Sequence, residues 1–412
     1  MPNERLSQIL SSALRSLEEK GQRKGRETVI VGIMPAARNR GPRVLLEGEG
    51  KTPFLRMNSN NYLGMSMRTE VIEAEGTAAH AFGAGPGAVR FISGTWEPHV
   101  ELERCLAAFH GRESAMTFNS AYGAVLGVLV PLITADTAVI SDALNHNSII
   151  NAVRMARPAE KHVYRHLDLT ELEARLEEAA EHCRRAIIVT DGVFSMRGDH
   201  GPLKEIVGMA AAYDARFPEN VLVVVDDSHG IGAFGATGRG TEEVTDCGQV
   251  DILIATLGKA IGVNGGYATA SGPLIEYLRE VSAPYVYSNP VTPGEAAAAV
   301  KALEILDGDQ GYALLAHLRK MTGRFKEGLI GLGFESVSGD HPIVPLMVRD
   351  TRRLLRLAVH LRANGILATG LNFPVVPRGD EEIRFQISAD HTEGDIDEAL
   401  EVLETFATSE KS

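Results

Sequence analysis

From about residue 67 the chain alternates between two periodicities. Apolar residues recur every three or four positions over 97–109, 121–130, 146–156, 168–182 and 202–215, which predicts helices. Between and after them, apolar runs at 137–142, 161–165, 186–191, 221–227 and 252–256 predict strands. Runs such as Ala186-Ile-Ile-Val and Val221-Leu-Val-Val-Val lack polar alternation, as expected of strands covered on both faces. Helices alternating with buried strands point to an α/β domain with crossover connections.

The two ends read differently. Residues 4–20 predict an amphipathic helix with Leu6, Ile9, Leu10, Leu14 and Leu17 on one face, followed by a basic, Gly/Pro-punctuated stretch from Arg23 to Lys51 that reads as an extended arm. Beyond about residue 290 come helices at 293–307 and 311–332, short strands at 343–348 and 382–388 separated by a helix, and a last helix at 393–407. That segregation suggests a smaller α+β domain. The expected division is therefore 1–58, 59–290 and 291–412.

Composition narrows the function classes. A hydrophobic share of 44% and a charged share of 23% are those of a globular protein. The formal charge of −13 is opposite in sign to a nucleic-acid or anionic-membrane footprint, although backbone N–H groups can still hold a single phosphate. Cys105, Cys183 and Cys247 have neither disulfide-framework nor metal-ligand spacing and read as reduced packing residues, so no metal is expected. The N-terminus carries Glu4, Glu18, Glu19 and Glu27 and has no apolar leader core, which favours a cytoplasmic location. The most apolar stretch, Ala121 to Ile140, is interrupted by Pro131 and Asp136 and reads as a buried helix followed by a strand, not as a membrane span.

In an open α/β sheet ligands bind beyond the carboxyl ends of the strands. Four runs end in polar residues: Asp226-Asp-Ser-His229, Thr190-Asp-Gly192 leading to Ser195, Ser141-Asp142 leading to Asn145-His146, and Thr256-Leu-Gly-Lys259. A lysine at such a position can be desolvated enough to form an imine with a carbonyl, or can simply point to solvent. Asp226 and His229 taken singly could equally be helix caps. Together, a carboxylate at one central strand end and a lysine at another meet the needs of pyridoxal 5'-phosphate: a partner for its ring nitrogen and a tether for its aldehyde.

The ordered motifs carry more. Ser59-Asn-Asn-Tyr-Leu-Gly64, Gly83-Ala-Gly85, Arg90-Phe-Ile-Ser-Gly-Thr95 with His99-Val-Glu-Leu-Glu103, Ser141-Asp-Ala-Leu-Asn-His146, Thr190-Asp-Gly-Val-Phe-Ser-Met196, Asp226-Asp-Ser-His229, Thr256-Leu-Gly-Lys259, and Phe373-Pro-Val-Val-Pro377 with Ile383-Arg384 span more than 300 residues. In these the chain resembles the α-oxoamine synthases, a branch of the fold-type-I pyridoxal-phosphate enzymes, and is nearest in look to its glycine C-acetyltransferase members. The resemblance implies a large, mostly parallel sheet domain with helices on both faces, a smaller C-terminal α+β domain, and a homodimer with shared active sites.

It also implies roles. Lys259 would tether the cofactor and move protons, Asp226 would pair with the pyridine nitrogen, His229 and Ser195 would meet the phenolic oxygen, and His146 would stack on the ring. Phosphate would fall to the backbone of Ala121 and Tyr122, to Thr256, and to Ser288 reaching a neighbouring subunit, where turn chemistry is an equal reading. Ser120 reads as a good cap for the same helix. Arg384 and Asn60 would bind the substrate carboxylate, with a structural ion pair as the other reading of Arg384. Thr95 would lie near the α-carbon and favour glycine over alanine, or else cap the helix beginning near Glu97.

The implied reaction condenses that amino acid with an acyl-CoA. Decarboxylation to an aminoketone follows in most of the family, and the glycine C-acetyltransferase reading does not require it. The competing classes are an aminotransferase of the same fold type and a non-catalytic cofactor-binding module. Pro86, Trp96, Arg197 and the short glycine loop Gly262-Val-Asn-Gly265-Gly266 depart from the glycine C-acetyltransferase pattern and bear on the choice of acyl chain.

Overall fold

A computed structural model describes residues 2–410 except 21, 24 and 374. It divides into two compact units, one made of Asn60–Thr322 with Ser338–Pro342, the other of Met1–Ser59, Gly323–Val337 and Ile343–Ser412.

The first unit is built on a seven-stranded sheet. Its spatial order is Ser114–Phe118, Gly266–Ala270, Ile252–Thr256, Asn220–Asp226, Arg185–Asp191, Thr137–Asp142 and Glu160–Tyr164. Only Gly266–Ala270 runs against its neighbours, so the sheet is mostly parallel, as the apolar runs imply. Alternate residues explain why those runs are continuous. Val139, Ile187, Val189, Val224, Ile254 and Ala268 lie on one face in a core shared with Val125, Val128 and Leu129 of the helix Ala121–Leu132. The intervening Ile188, Val223, Val225, Leu253 and Tyr267 are buried as well, which requires cover on the second face. Each such fully buried side chain contributes about 1.5–3 kcal/mol.

The second unit holds two four-stranded sheets. One has the order Glu335–Ser336, Ile343–Met347, Glu382–Gln386, Thr369–Leu371, and all its pairs are antiparallel. The other joins Ile30–Met34, Arg43–Leu46, Pro53–Arg56 and Ile366–Leu367. The expected extended arm therefore contains two strands, Ile30–Met34 and Arg43–Leu46. Buried Arg43 Nη2 pairs with Asp395 Oδ1 at 2.6 Å and Glu398 Oε2 at 2.9 Å on the helix Glu393–Ser409, joining the two chain ends within this unit.

The division differs from the expected one at both borders. The N-terminal segment belongs with the C-terminal one because their strands share a sheet. Helix Pro293–Leu306 belongs to the first unit, where it packs against helices Thr69–Phe82 and Glu97–Phe109, and the border falls within the helix Asp309–Gly331. The N-terminal helix Pro2–Glu19 forms as expected, and Leu6, Ile9, Leu10, Leu14 and Leu17 are exposed. No helix among the described residues is long and apolar enough to cross a membrane. Lys24 of the expected arm and Pro374 of the 373–377 motif lie outside the described residues.

Candidate active site

Parallel strands bring their carboxyl ends to one edge of the sheet, and the chemistry-bearing residues of the first unit gather there. Asp226 ends the strand Asn220–Asp226, is buried, and accepts the Ser228 N–H at 3.1 Å through Oδ1. Its register partner on the adjacent strand is Asp191, so the two carboxyls face the same side of the sheet. Burial, and then the neighbouring Asp226, raise the Asp191 carboxyl well above the ordinary carboxylate range. Asp191 Oδ2 accepts the His146 N–H at 3.1 Å, while Oδ1 has no hydrogen-bond partner among the described residues.

Lys259 lies three residues beyond the strand Ile252–Thr256, half-buried, and its charge acts on both Asp191 and His146. Burial lowers the His146 pKa; Asp226 opposes this and Lys259 adds to it, so the ring stays neutral at physiological pH. His146 caps the helix Asn147–Ala156, with Nδ1 2.7 Å from Ser148 Oγ and 3.3 Å from the Ser148 N–H. The structure thus brings both Lys259 and Asp226 within reach of His146 and of Asp191.

His229, three residues after Asp226, has an aromatic support. The hydroxyl of fully buried Tyr62 meets His229 Nδ1 at 2.9 Å, and His341 Nε2 donates to the His229 carbonyl at 2.9 Å. Tyr62 stands edge-on to both rings, and its hydroxyl is 3.4 Å from Asn60 Oδ1. Tyr62→Phe keeps the ring and removes that hydroxyl. The expected cost is about 1–2 kcal/mol in chemical denaturation, together with weaker retention of cofactor on dialysis. Unchanged values for both would show that the hydroxyl does not hold His229.

Two N–H groups point outward at the start of the helix Ala121–Leu132. Ser120 Oγ accepts the Gly123 N–H at 3.0 Å, whereas the N–H groups of Ala121 and Tyr122 have no protein acceptor among the described residues. A Cβ on Gly266 would come within 2.3 Å of the Ala121 nitrogen, so glycine alone lets this turn approach the strand. Gly266 is in turn the register partner of Thr256, whose hydroxyl accepts the Gly258 N–H at 3.0 Å and donates to the Gly265 carbonyl at 3.1 Å. Ser195 lies half-buried in the loop after strand Arg185–Asp191.

The residue after Asp226 is part of the frame. Asp227 is fully buried, accepts the Thr241 N–H at 2.6 Å and the Thr241 hydroxyl at 2.7 Å, and is crowded by Gly192, Gly230 and Gly240, each placed so that a Cβ would come within 2.1 Å of a carboxyl oxygen. Burial, opposed by the Thr241 bonds, pushes its pKa up to about 7. A carboxyl raised on folding favours the protonated form, so its stabilising contribution is full below about pH 4 and is lost as pH rises through about 7. Between those pH values the wild type should lose on the order of 3 kcal/mol relative to Asp227→Asn. Parallel pH-dependent urea titrations of the two proteins would show no divergence if Asp227 were an ordinary carboxylate.

Thr95 is exposed, and it does not cap the following helix: its hydroxyl accepts the Arg90 Nε–H at 3.0 Å and donates to the Arg90 carbonyl at 2.9 Å. Trp96 is the capping residue, its N–H donating to His99 Nδ1 at 3.0 Å. Ser288 follows the short helix Ala283–Val286, next to strongly exposed Tyr287. Arg384 belongs to the second unit, on the strand Glu382–Gln386 opposite Pro345 and Thr369. Tyr62, Asp191 and His341 were not picked out from the sequence. The first two lie inside quoted motifs, whereas His341, far along the chain in a short loop, carried no pattern.

The Aminotransferase class I and II profile matches residues 52–403. The chain is 42% identical over 395 residues to the mitochondrial 2-amino-3-ketobutyrate coenzyme A ligase of Bos taurus, covering 95% of this chain and 90% of the relative. It is 40% identical over 368 residues to 8-amino-7-oxononanoate synthase 1 of Bacillus velezensis, covering 89% and 91%. Among solved structures, SPT (serine palmitoyltransferase) with its PLP internal aldimine superposes with a TM-score of 0.87 at 26% identity, covering 97% of both chains.

Proposed function

The chain belongs to the class I and II aminotransferase family and, within it, to the α-oxoamine synthases, acyltransferases that use pyridoxal 5'-phosphate, and on that premise we propose that it joins glycine to a short acyl-CoA, releasing CoA and a 2-amino-3-oxo acid. What supports this most is a lysine and a carboxylate converging at neighbouring strand ends, in a chain similar over nearly its whole length to a ligase named for such an acid.

The residues present fit the cofactor. Two unpaired N–H groups at a helix start, closed in by Gly266, suit its phosphate, and buried Asp226 suits a protonated ring nitrogen. Bound there, pyridoxal phosphate supplies an electron sink for a carbanion at the amino acid's α-carbon. Lys259 would attach it and carry the α-proton. His229, held by Tyr62, and Ser195 would serve its phenolic oxygen, and neutral His146 its ring. Ala121, Tyr122 and Thr256 would hold its phosphate. The amino acid's carboxylate would fall to Arg384 and Asn60.

The same reading makes the enzyme a homodimer in which Ser288 would reach the neighbouring subunit's phosphate; exposed Phe91, Ile92 and Tyr287 supply apolar surface for such a contact.

Thiol release from a panel of acyl-CoAs, with glycine or alanine and with product masses read in parallel, tests the reaction. Glycine with acetyl-CoA should be fastest, and the product mass shows whether carbon dioxide has left. Keto-acid formation without thiol release from any acyl-CoA would instead mark an aminotransferase.

A further inference from the structure

Behind the His146 turn and the Ser195 loop lies a charged cluster that the proposed reaction does not use. His166 Nδ1 is 3.0 Å from Asp142 Oδ1, and its Nε2 is 3.2 Å from Asp199 Oδ2. Ionised carboxylates only accept hydrogen bonds, so a ring placed between two of them has to donate from both nitrogens and is an imidazolium. Burial pulls its pKa down, but the bonds to Asp142 and Asp199 outweigh this and lift it to about 9. Arg197 Nε donates to the same Asp199 oxygen at 2.9 Å, giving a row of alternating charges. The edge of the His166 ring meets Phe194 at 4.4 Å between centroids.

Each carboxylate fixes a different loop. Asp142 ends the strand Thr137–Asp142 four residues before His146; its Oδ1 accepts the Leu144 N–H at 2.8 Å and its Oδ2 the Leu167 N–H at 2.9 Å. Leu167 has φ 58, in the left-handed region, a strained turn that these bonds keep in place. The Asp199 carbonyl accepts the Phe194 N–H at 2.9 Å, closing the loop that holds Ser195 and Arg197.

We propose that His166 is a positioning residue that braces the His146 turn against the Ser195 loop, with Arg197 completing the brace from the far side of Asp199. The proposal rests on the roles given above to His146 and Ser195. It also gives Arg197, one of the departures from the family pattern, a local purpose.

The test uses cofactor-loaded wild type, His166→Asn, Asp199→Asn and the double variant. His166→Asn keeps one neutral donor and should lower the visible circular dichroism of the bound cofactor by half or more. It should also lower turnover about tenfold, with KM for glycine within about twofold, because the loss is of alignment and not of substrate contact. Asp199→Asn should act in the same direction, and the double variant should be no worse than His166→Asn alone. Dichroism and turnover equal to wild type in a folded His166→Asn would overturn the brace, as would strictly additive losses. If His166→Asn does not fold, Asp199→Asn decides by the same two readouts. Should the wild type transfer no acyl group, the reaction proposed above fails, while the dichroism still decides the brace.

Discussion

Lys259→Ala should abolish the visible absorbance band of the bound cofactor and cut turnover by about 10⁴-fold, the upper range for a positioned proton-transfer group. No second lysine follows the strand end Thr256 in the loop that closes on Gly265. Absorbance and thiol release decide together. A variant that stays yellow and turns over would place the attachment elsewhere, whereas one that is colourless yet folded, with its phosphate cradle intact, should still bind inorganic phosphate at Ala121 and Tyr122.

Asp226→Ala should lower turnover by about 10³-fold, as expected for the loss of one preorganised charge at a reacting centre. Neither Asp226→Ala nor Asp226→Asn should lose the whole effect, and the reason lies next door. Asp191 is kept from ionising first by burial and then by Asp226 itself. Replacing Asp226 relaxes the second restraint in both variants, so part of the negative charge moves to the adjacent strand. The double variant Asp191→Asn/Asp226→Asn should therefore fall below Asp226→Asn. Equal turnover for Asp226→Asn and the double variant would show that Asp191 cannot substitute.

The parts of the fold that were legible were those in which burial is two-sided. Ala186-Ile-Ile-Val and Val221-Leu-Val-Val-Val could be nothing but covered strands, and the polar residues ending them marked the site edge. The antiparallel strand Gly266–Ala270 was not foreseen, because its opening glycines read as loop and only the closeness of the Ala121 turn explains them. Ser114–Phe118 was missed because it is short and polar at its start. The strands within 23–51 were missed because a basic, Gly-punctuated stretch gives no periodicity; what holds them is a distant partner, Asp395 for Arg43 and Ile366–Leu367 for Pro53–Arg56.

Among candidate site residues, a place at a strand end was readable, as with Asp226 and Lys259. Support from elsewhere was not. Tyr62 reaches His229 across 167 positions, and His166 meets Asp199 across 33. No local pattern encodes such pairings.

The antiparallel strand also sets an order of assembly. Ile252–Thr256 and Gly266–Ala270 form a hairpin over a nine-residue connection, a local closure that needs little sequence to come together. Ser114–Phe118 pairs in the sheet only with that same Gly266–Ala270, about 150 residues further along, so it waits for nearly two-thirds of the polypeptide to leave the ribosome. The turn at Ala121 follows this waiting strand and is completed only when Gly266 arrives. The nascent chain therefore completes the turn proposed to hold the phosphate late in synthesis, once the hairpin that carries Lys259 has emerged.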